Sequence, residues 1–132
     1  MGEVTEHLTP DELAFLQSAF ELAREGATDQ LAQYVDQGLP VNLTNSSGDT
    51  LLILAAYHKH EELVRELLER GADHARVNDR GQTALASAVF RQDEEIVAAL
   101  LDAGADPELG PKSAVEIARF FELPEMLRLL GQ

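Results

Sequence analysis

The chain contains no cysteine and no tryptophan. The first absence excludes disulfides, thiolate zinc or iron–sulfur ligation and a cysteine nucleophile. Cations are scarce: ten Lys+Arg stand against 24 Asp+Glu, a formal net charge of −14. A surface this acidic repels phosphate backbones and anionic lipid headgroups, which argues against direct nucleic-acid binding and against membrane binding. No run approaches the ~18 apolar residues of a membrane span. Met1-Gly2-Glu3-Val4-Thr5-Glu6 lacks the basic start and apolar stretch of a secretory signal. Glu6 also stands where a myristoylation pattern requires Ser or Thr. A cytoplasmic protein is expected. What remains plentiful is aliphatic: hydrophobic residues are 45% of the 132, too many for a disordered acidic tail and enough for one core.

Sliding the sequence against itself by 33 positions aligns its glycines and apolar residues. Gly48 falls on Gly81, Thr50 on Thr83, Leu52 on Leu85 and Ala55 on Ala88. Glu62 falls on Glu95, Val64 on Val97, Leu67-Leu68 on Leu100-Leu101, and Gly71-Ala72-Asp73 on Gly104-Ala105-Asp106. The same step upstream pairs Gly38 with Gly71, Leu31 with Val64 and Asn45 with Asn78. Downstream the step shortens to 30, pairing Thr83 with Ser113, Ala88 with Ala118, Glu95 with Glu125 and Leu100 with Leu130. Four units fill the chain: 1–44 as an N-terminal cap, 45–77, 78–110, and 111–132 as a shortened C-terminal cap. No room is left for a second domain.

Within a unit, Thr50 opens a short apolar helix through Tyr57 as its N-cap, and Glu61 to Arg70 makes a second. Leu63, Val64, Leu67 and Leu68 place an apolar stripe on that second helix, and Gly71 ends it in a left-handed cap. The stretch from Ala72 to Gly81, with Asp73, Asn78 and Asp79, reads as a turn-rich connection. Helices of this length are marginal alone in water, so stacking of unit on unit has to supply the core. Thr9-Pro10-Asp11-Glu12 is a capping box that starts the first helix, which runs to Arg24 or Glu25. Leu13, Leu16, Phe20 and Ala23 give that helix one apolar face, and Asp11, Glu21 and Glu25 lie opposite. Ser113 starts a helix through Phe121, and Pro124 restarts one to Leu130.

The segment from Asn45-Ser46-Ser47-Gly48-Asp49-Thr50 through Leu67-Leu68 to Gly71-Ala72-Asp73, with its copy from Asn78 to Asp106, resembles ankyrin repeats, and the chain is similar to small single-domain bacterial ankyrin proteins. The resemblance implies an all-α solenoid of about four helix-turn-helix units with projecting β-turn or hairpin loops, acting as a binding scaffold. Two departures stand out. The family's Thr-Pro-Leu-His is here Thr50-Leu51-Leu52-Ile53 and Thr83-Ala84-Leu85-Ala86. The missing Pro removes a preset first-turn φ, and the missing His removes a tether between neighbouring repeats, which packing of Leu51 and Ile53 could replace.

His58-Lys59-His60-Glu61-Glu62 is the strongest candidate for chemistry. On a helix, residues i and i+2 point apart, so the two imidazoles are not expected to converge. In the family, a His at the place of His60 bonds locally to backbone; His58 is read as a surface residue facing a partner. His7 and His74 are isolated. The acids Glu61, Glu62, Glu66 and Glu69, and Asp93, Glu94 and Glu95, read as solvated faces rather than paired catalytic carboxylates, which need a cleft that splits their pKa values. No phosphate-cradling glycine loop and no nucleophile elbow is present. Neither a metal nor a cofactor is expected, and no enzyme.

The resemblance implies a concave groove of first helices and loop tips. Mapped onto this chain it offers Ser46, Ser47, Asp49, Tyr57 and His58 from the second unit. The third offers Asp79, Arg80, Gln82, Phe90 and Arg91, the fourth Phe120 and Phe121, and the first Arg24 and Glu25. Tyr57, Phe90 and Phe120 fall at equivalent places and should form a line across the groove. Of Phe120 and Phe121, one is expected inside and one outside. Residues 1–44 hold eight acids and one base, so a protein partner with a basic segment would be steered to the first repeats. The leading expectation is a noncatalytic, monomeric protein-interaction module. The alternatives are an acidic inhibitor or chaperone of a basic, nucleic-acid-binding client and, last, a small metal-dependent hydrolase using His58 and His60.

Overall fold

A hydroxyl side chain opens the first helix of every unit. Thr9, Thr50, Thr83 and Ser113 accept from the backbone N–H three residues on, at 3.1, 3.0, 3.1 and 3.2 Å. Each thus satisfies one of the donors a helix start leaves orphaned. Thr9 completes its capping box, because Glu12 returns a bond to the Thr9 N–H at 2.9 Å. The computed structural model describes residues 8–132, so His7 and the N-terminal hexapeptide lie outside the described residues. Four helix pairs follow: α1 (Pro10–Glu25) with α2 (Thr28–Asp36), α3 (Leu51–Tyr57) with α4 (Glu61–Glu69), α5 (Ala84–Phe90) with α6 (Glu94–Asp102), and α7 (Ala114–Phe120) with α8 (Pro124–Leu129).

The pairs stack so that α1, α3, α5 and α7 form one layer and α2, α4, α6 and α8 the other. The first-helix layer is almost wholly apolar. Leu51 through Ala56 of α3 and Ala84 through Val89 of α5 are all buried, pressed by units on both sides. Each buried branched side chain there contributes about 1.5–3 kcal/mol, which a helix of seven residues cannot obtain alone. Leu51 and Ile53 are within the core, where the sequence expected them to compensate for the missing family side chains. Second helices bury one stripe only: Leu63, Val64 and Leu67 on α4, and Ile96, Val97 and Leu100 on α6.

The connections between pairs carry no strand among the described residues, only an isolated antiparallel bridge between Thr44 and Thr50. The first two are tight turns closed on an asparagine, which the third lacks. The Asn45 side chain accepts from the Ser47 and Asp49 N–H groups, and Asn78 repeats this for Arg80 and Gln82. Successive turns lie against each other, with the Asp79 N–H donating to the Ser47 carbonyl at 3.0 Å and that of Lys112 to Gly81 at 3.0 Å. Gly48 has φ +77, and a Cβ there would come within 2.7 Å of Asp79 Oδ1. The turns stack this closely because that position has no side chain.

The apolar face of α1 is shorter than its sequence pattern suggests. Ala19, Phe20 and Ala23 are buried, but Leu13 is 36% and Phe15 42% exposed. Leu16 packs against the core, whereas Leu13 faces an open hollow that it shares with Leu43 and Asn45, and α1, with 16 residues, is longer than the seven-residue α3.

Candidate protein-binding groove

The first-helix ends and turn tips enclose two adjoining hollows. One, of about 450 Å³, is lined by Arg24, Ser47, Tyr57, His58, Arg80 and Phe90 among others. The second, of about 400 Å³, lies between Phe90, Lys112, Glu116, Phe120 and Phe121. Gln82 and Phe90 line both, which makes one continuous groove along units two to four.

An aromatic ladder runs along it. The Tyr57 and Phe90 rings are stacked, 6.2 Å apart and 8° from parallel. Phe90 meets Phe121 edge-on at 5.4 Å, and Phe121 meets Phe120 at 4.9 Å. The rung next to Phe90 is therefore Phe121, not Phe120 as the 30-residue step predicted. Both phenylalanines of the last unit lie outside, at 78% and 46% exposure, where one was expected inside. Unit four is the end of the described stack, so no further helix covers either ring.

The Arg91 guanidinium lies 5.2 Å from the Tyr57 ring centroid and donates to the Tyr57 carbonyl at 3.1 Å. His58 contacts the same ring edge-on at 5.2 Å. Burial, then the charges of His60, Arg24 and Arg91, hold the His58 imidazole below its ordinary value of 6.5.

His60 behaves differently from its sequence-based reading. Its Nε2 donates to the Arg24 carbonyl at 2.6 Å, across to the first unit rather than locally. The ring occupies the space over Gly26, where a Cβ would overlap it. The two imidazoles also do come together, with rings 6.4 Å apart and 19° from parallel. The helical i, i+2 argument fails here because Lys59, between them, has φ +65 and turns the chain. Among the described residues, no three His, Asp or Glu side chains are grouped so as to hold a metal ion. His74 is half-buried in its loop, and its Nδ1 has no partner there.

Asp49 stands apart from the other groove candidates. It is 6% exposed, and its Oδ1 accepts from Asn78 Nδ2 at 2.8 Å and from Arg80 at 3.2 Å. This carboxylate clasps neighbouring turns across the repeat boundary. Ser46, Asp79 and Arg80 are exposed, and Ser47, Gln82 and Arg91 half-buried. Arg119 lies off the groove, bonded to Gln132.

The family described as "Ankyrin repeats (3 copies)" matches residues 19–110, well over half of the chain. The chain belongs to the ankyrin-repeat family. A Pseudomonas aeruginosa protein whose name describes it as an ankyrin repeat protein is 51% identical over 51 residues, 39% of this chain and 30% of that relative. The aligned stretch thus spans less than a third of the relative's length. Ankyrin repeats generally mediate protein–protein interaction. Among the described residues no helix is long and apolar enough to cross a membrane.

Several groove residues escaped the sequence reading of this ankyrin chain, among them Pro111, Lys112 and Glu116. Lys112 lines the second hollow, and the same 30-residue step that pairs Thr83 with Ser113 puts it under Gln82. The register held the signal, but the loop preceding Ser113 has no asparagine to mark its tip.

Proposed function

We propose that this ankyrin chain is a noncatalytic interaction module that holds one protein partner as a monomer. Residues 1–44, 45–77, 78–110 and 111–132 act as its four units. The observation that carries the reading is the exposed ladder of Tyr57, Phe90, Phe121 and Phe120, flanked by Arg80 and Arg91. Aromatic rings and arginine dominate the energetics of protein interfaces, and these are already held in place by one another, which lowers the ordering cost on binding. Ser46, Ser47, Asp79 and Gln82 supply the polar rim.

The alternative of an acidic surface that mimics nucleic acid requires an unbroken carboxylate stripe. Arg65 interrupts it by pairing with Glu61 and Glu95, and Arg70 by pairing with Asp36 and Glu66. The excess negative charge of the first unit steers a basic stretch of the partner by long-range attraction.

The test is capture from native lysate by the wild-type chain and by the Tyr57→Ala/Phe90→Ala double variant, with circular dichroism as the folding control. The expected result is a partner held by the wild type and weakened at least about 30-fold by the double variant, the scale of an interface hot spot. Equal retention by a folded double variant removes the reading.

A further inference from the structure

A hollow separate from the groove opens beside α1. It measures about 490 Å³ and lies between the N-terminal half of α1 and the turn that follows α2. Leu8, Phe15, Leu16, Tyr34, Leu39 and Pro40 make its apolar wall, and it shares no lining residue with the aromatic groove. The wall is held in place from within. The Phe15 and Tyr34 rings meet at 5.0 Å, tilted by 58°, and Gln30 donates to the Tyr34 hydroxyl at 2.9 Å. Phe15 nevertheless remains 42% exposed.

The charges of this hollow have one sign. Asp11 and Glu12 line it, both exposed, and no Lys or Arg does. Neither acid has a cation within ion-pair distance among the described residues. Glu12 accepts from the Thr9 N–H, which leaves its charge in place. The N-terminus of α1 brings about half a positive charge against these two carboxylates. Beyond the rim, Asp36 pairs with Arg70, which holds Glu66 as well, so that cluster is also net negative. Arg24 is the one Lys or Arg of the first 58 residues, against nine acids. It is bound to Glu21 and stands about 18–20 Å along α1 from Glu12 and Asp11. Lys59, which has no ion pair among the described residues, lies beside His60, whose ring covers Gly26 past that same far end of α1. Both cations are well beyond the screening length of about 8 Å at physiological salt.

We propose that this hollow seats a basic segment of the protein partner, with one branched or aromatic side chain against Phe15, Tyr34 and Leu39 and neighbouring Lys or Arg side chains on Asp11 and Glu12. This rests on the interaction reading above and gives the basic stretch that the first unit attracts a place to bind. The two surfaces divide the work. Cations and carboxylates are mixed along the groove, so its rings select by shape, whereas the hollow carries uncompensated acids and selects by sign as well. Its volume suits one or two large side chains rather than a long segment, so the flanking cations supply the rest of the contact.

The experiment selects phage-displayed random dodecapeptides on the full chain, measures the winners by fluorescence anisotropy and maps them by amide NMR shifts. The expected result is a class of winners that shifts the Phe15, Tyr34 and Leu39 signals and carries Lys or Arg beside an aromatic or branched residue. Its affinity falls about fivefold for Asp11→Asn and again for Glu12→Gln, the most that an exposed ion pair contributes. Glutamine keeps the capping box, so the second variant leaves the start of α1 intact. The control is Glu94→Gln/Asp102→Asn on α6, which changes net charge equally at two exposed positions two units away. Equal loss in the control means general attraction to an acidic chain and overturns the proposal. So do winners at these signals that are neutral or acidic, an absence of winners there, and shifts at Phe15 and Tyr34 that grow with protein concentration alone, which put a second copy in the hollow. Each of these leaves the groove standing if other winners depend on Tyr57 and Phe90. Winners seated in the hollow with none that depends on Tyr57 or Phe90 instead sink the groove reading and keep this one.

Discussion

Asn78 bears two duties with one side chain. Its Oδ1 closes the third turn, and its Nδ2 reaches the buried carboxylate of Asp49 in the turn before. Removing it leaves two backbone donors without a partner and Asp49 with Arg80 alone, each lost bond worth about 1–3 kcal/mol where water cannot replace it. Asn78→Ala should therefore destabilise the chain by about 2–4 kcal/mol in urea denaturation, more than Asp79→Ala at the exposed tip beside it. His58 makes a prediction about acid. Its folded value lies below 6.5, so the unfolded chain binds the proton first as pH falls. Stability that His58 contributes is complete above pH 6.5, declines as pH falls from there, and stops declining below the folded value. His58→Gln should flatten that part of the profile in urea melts between pH 7.5 and 5, and an NMR titration of the imidazole should give a midpoint under 6.5. A midpoint above it contradicts the burial of His58 against the Tyr57 ring.

The short turn between the two helices of a unit has one geometry throughout. Gly26, Lys59, Gln92 and Glu122 occupy the same place in successive units, with φ of +76, +65, +56 and +53. A residue with a Cβ is strained there by about 1–2 kcal/mol, and glycine returns about 0.5–1 of this through its freer unfolded state. Gln92→Gly should therefore raise stability by roughly 0.5 kcal/mol in chemical denaturation. The reverse change in the first unit differs in kind. Gly26→Ala should cost more than backbone strain alone, because the His60 ring fills that space and holds the Arg24 carbonyl. Equal and small effects at positions 26 and 92 would mean that His60 is no tether.

As a whole, the molecule balances a large net charge against a set of local ion pairs. Salt screens both. The exposed pairs of Arg65, Arg76 and Arg128 contribute about 0–1 kcal/mol each and weaken as salt rises. Self-repulsion of a chain at −14 acts over the whole surface and weakens as well. With acids in this excess the second effect is larger, so the thermal midpoint should climb by a few degrees between about 20 and 200 mM NaCl. A falling midpoint would place the ion pairs first.

The repeat, the helix pairs and their caps were readable because each depends on residues within one unit: a hydroxyl three positions before a free N–H, apolar residues spaced for one helical face, glycine at a left-handed end. Thr50, Thr83 and Ser113 needed no neighbour to be recognised. The joints between units were not readable in this way. Whether His60 bonds within its turn or across to Arg24, whether Asp49 is a contact or a buried clasp, and whether Phe120 or Phe121 meets Phe90 all depend on the offset at which one unit lies on the next. Lys59 shows why, since a single left-handed residue redirects both flanking imidazoles and no helical rule anticipates it. The aromatic ladder is likewise a property of the stack, because residues distant in sequence share a surface only once the units have packed. Local chemistry determined the elements; the stacking of one unit on another decided the surface they present.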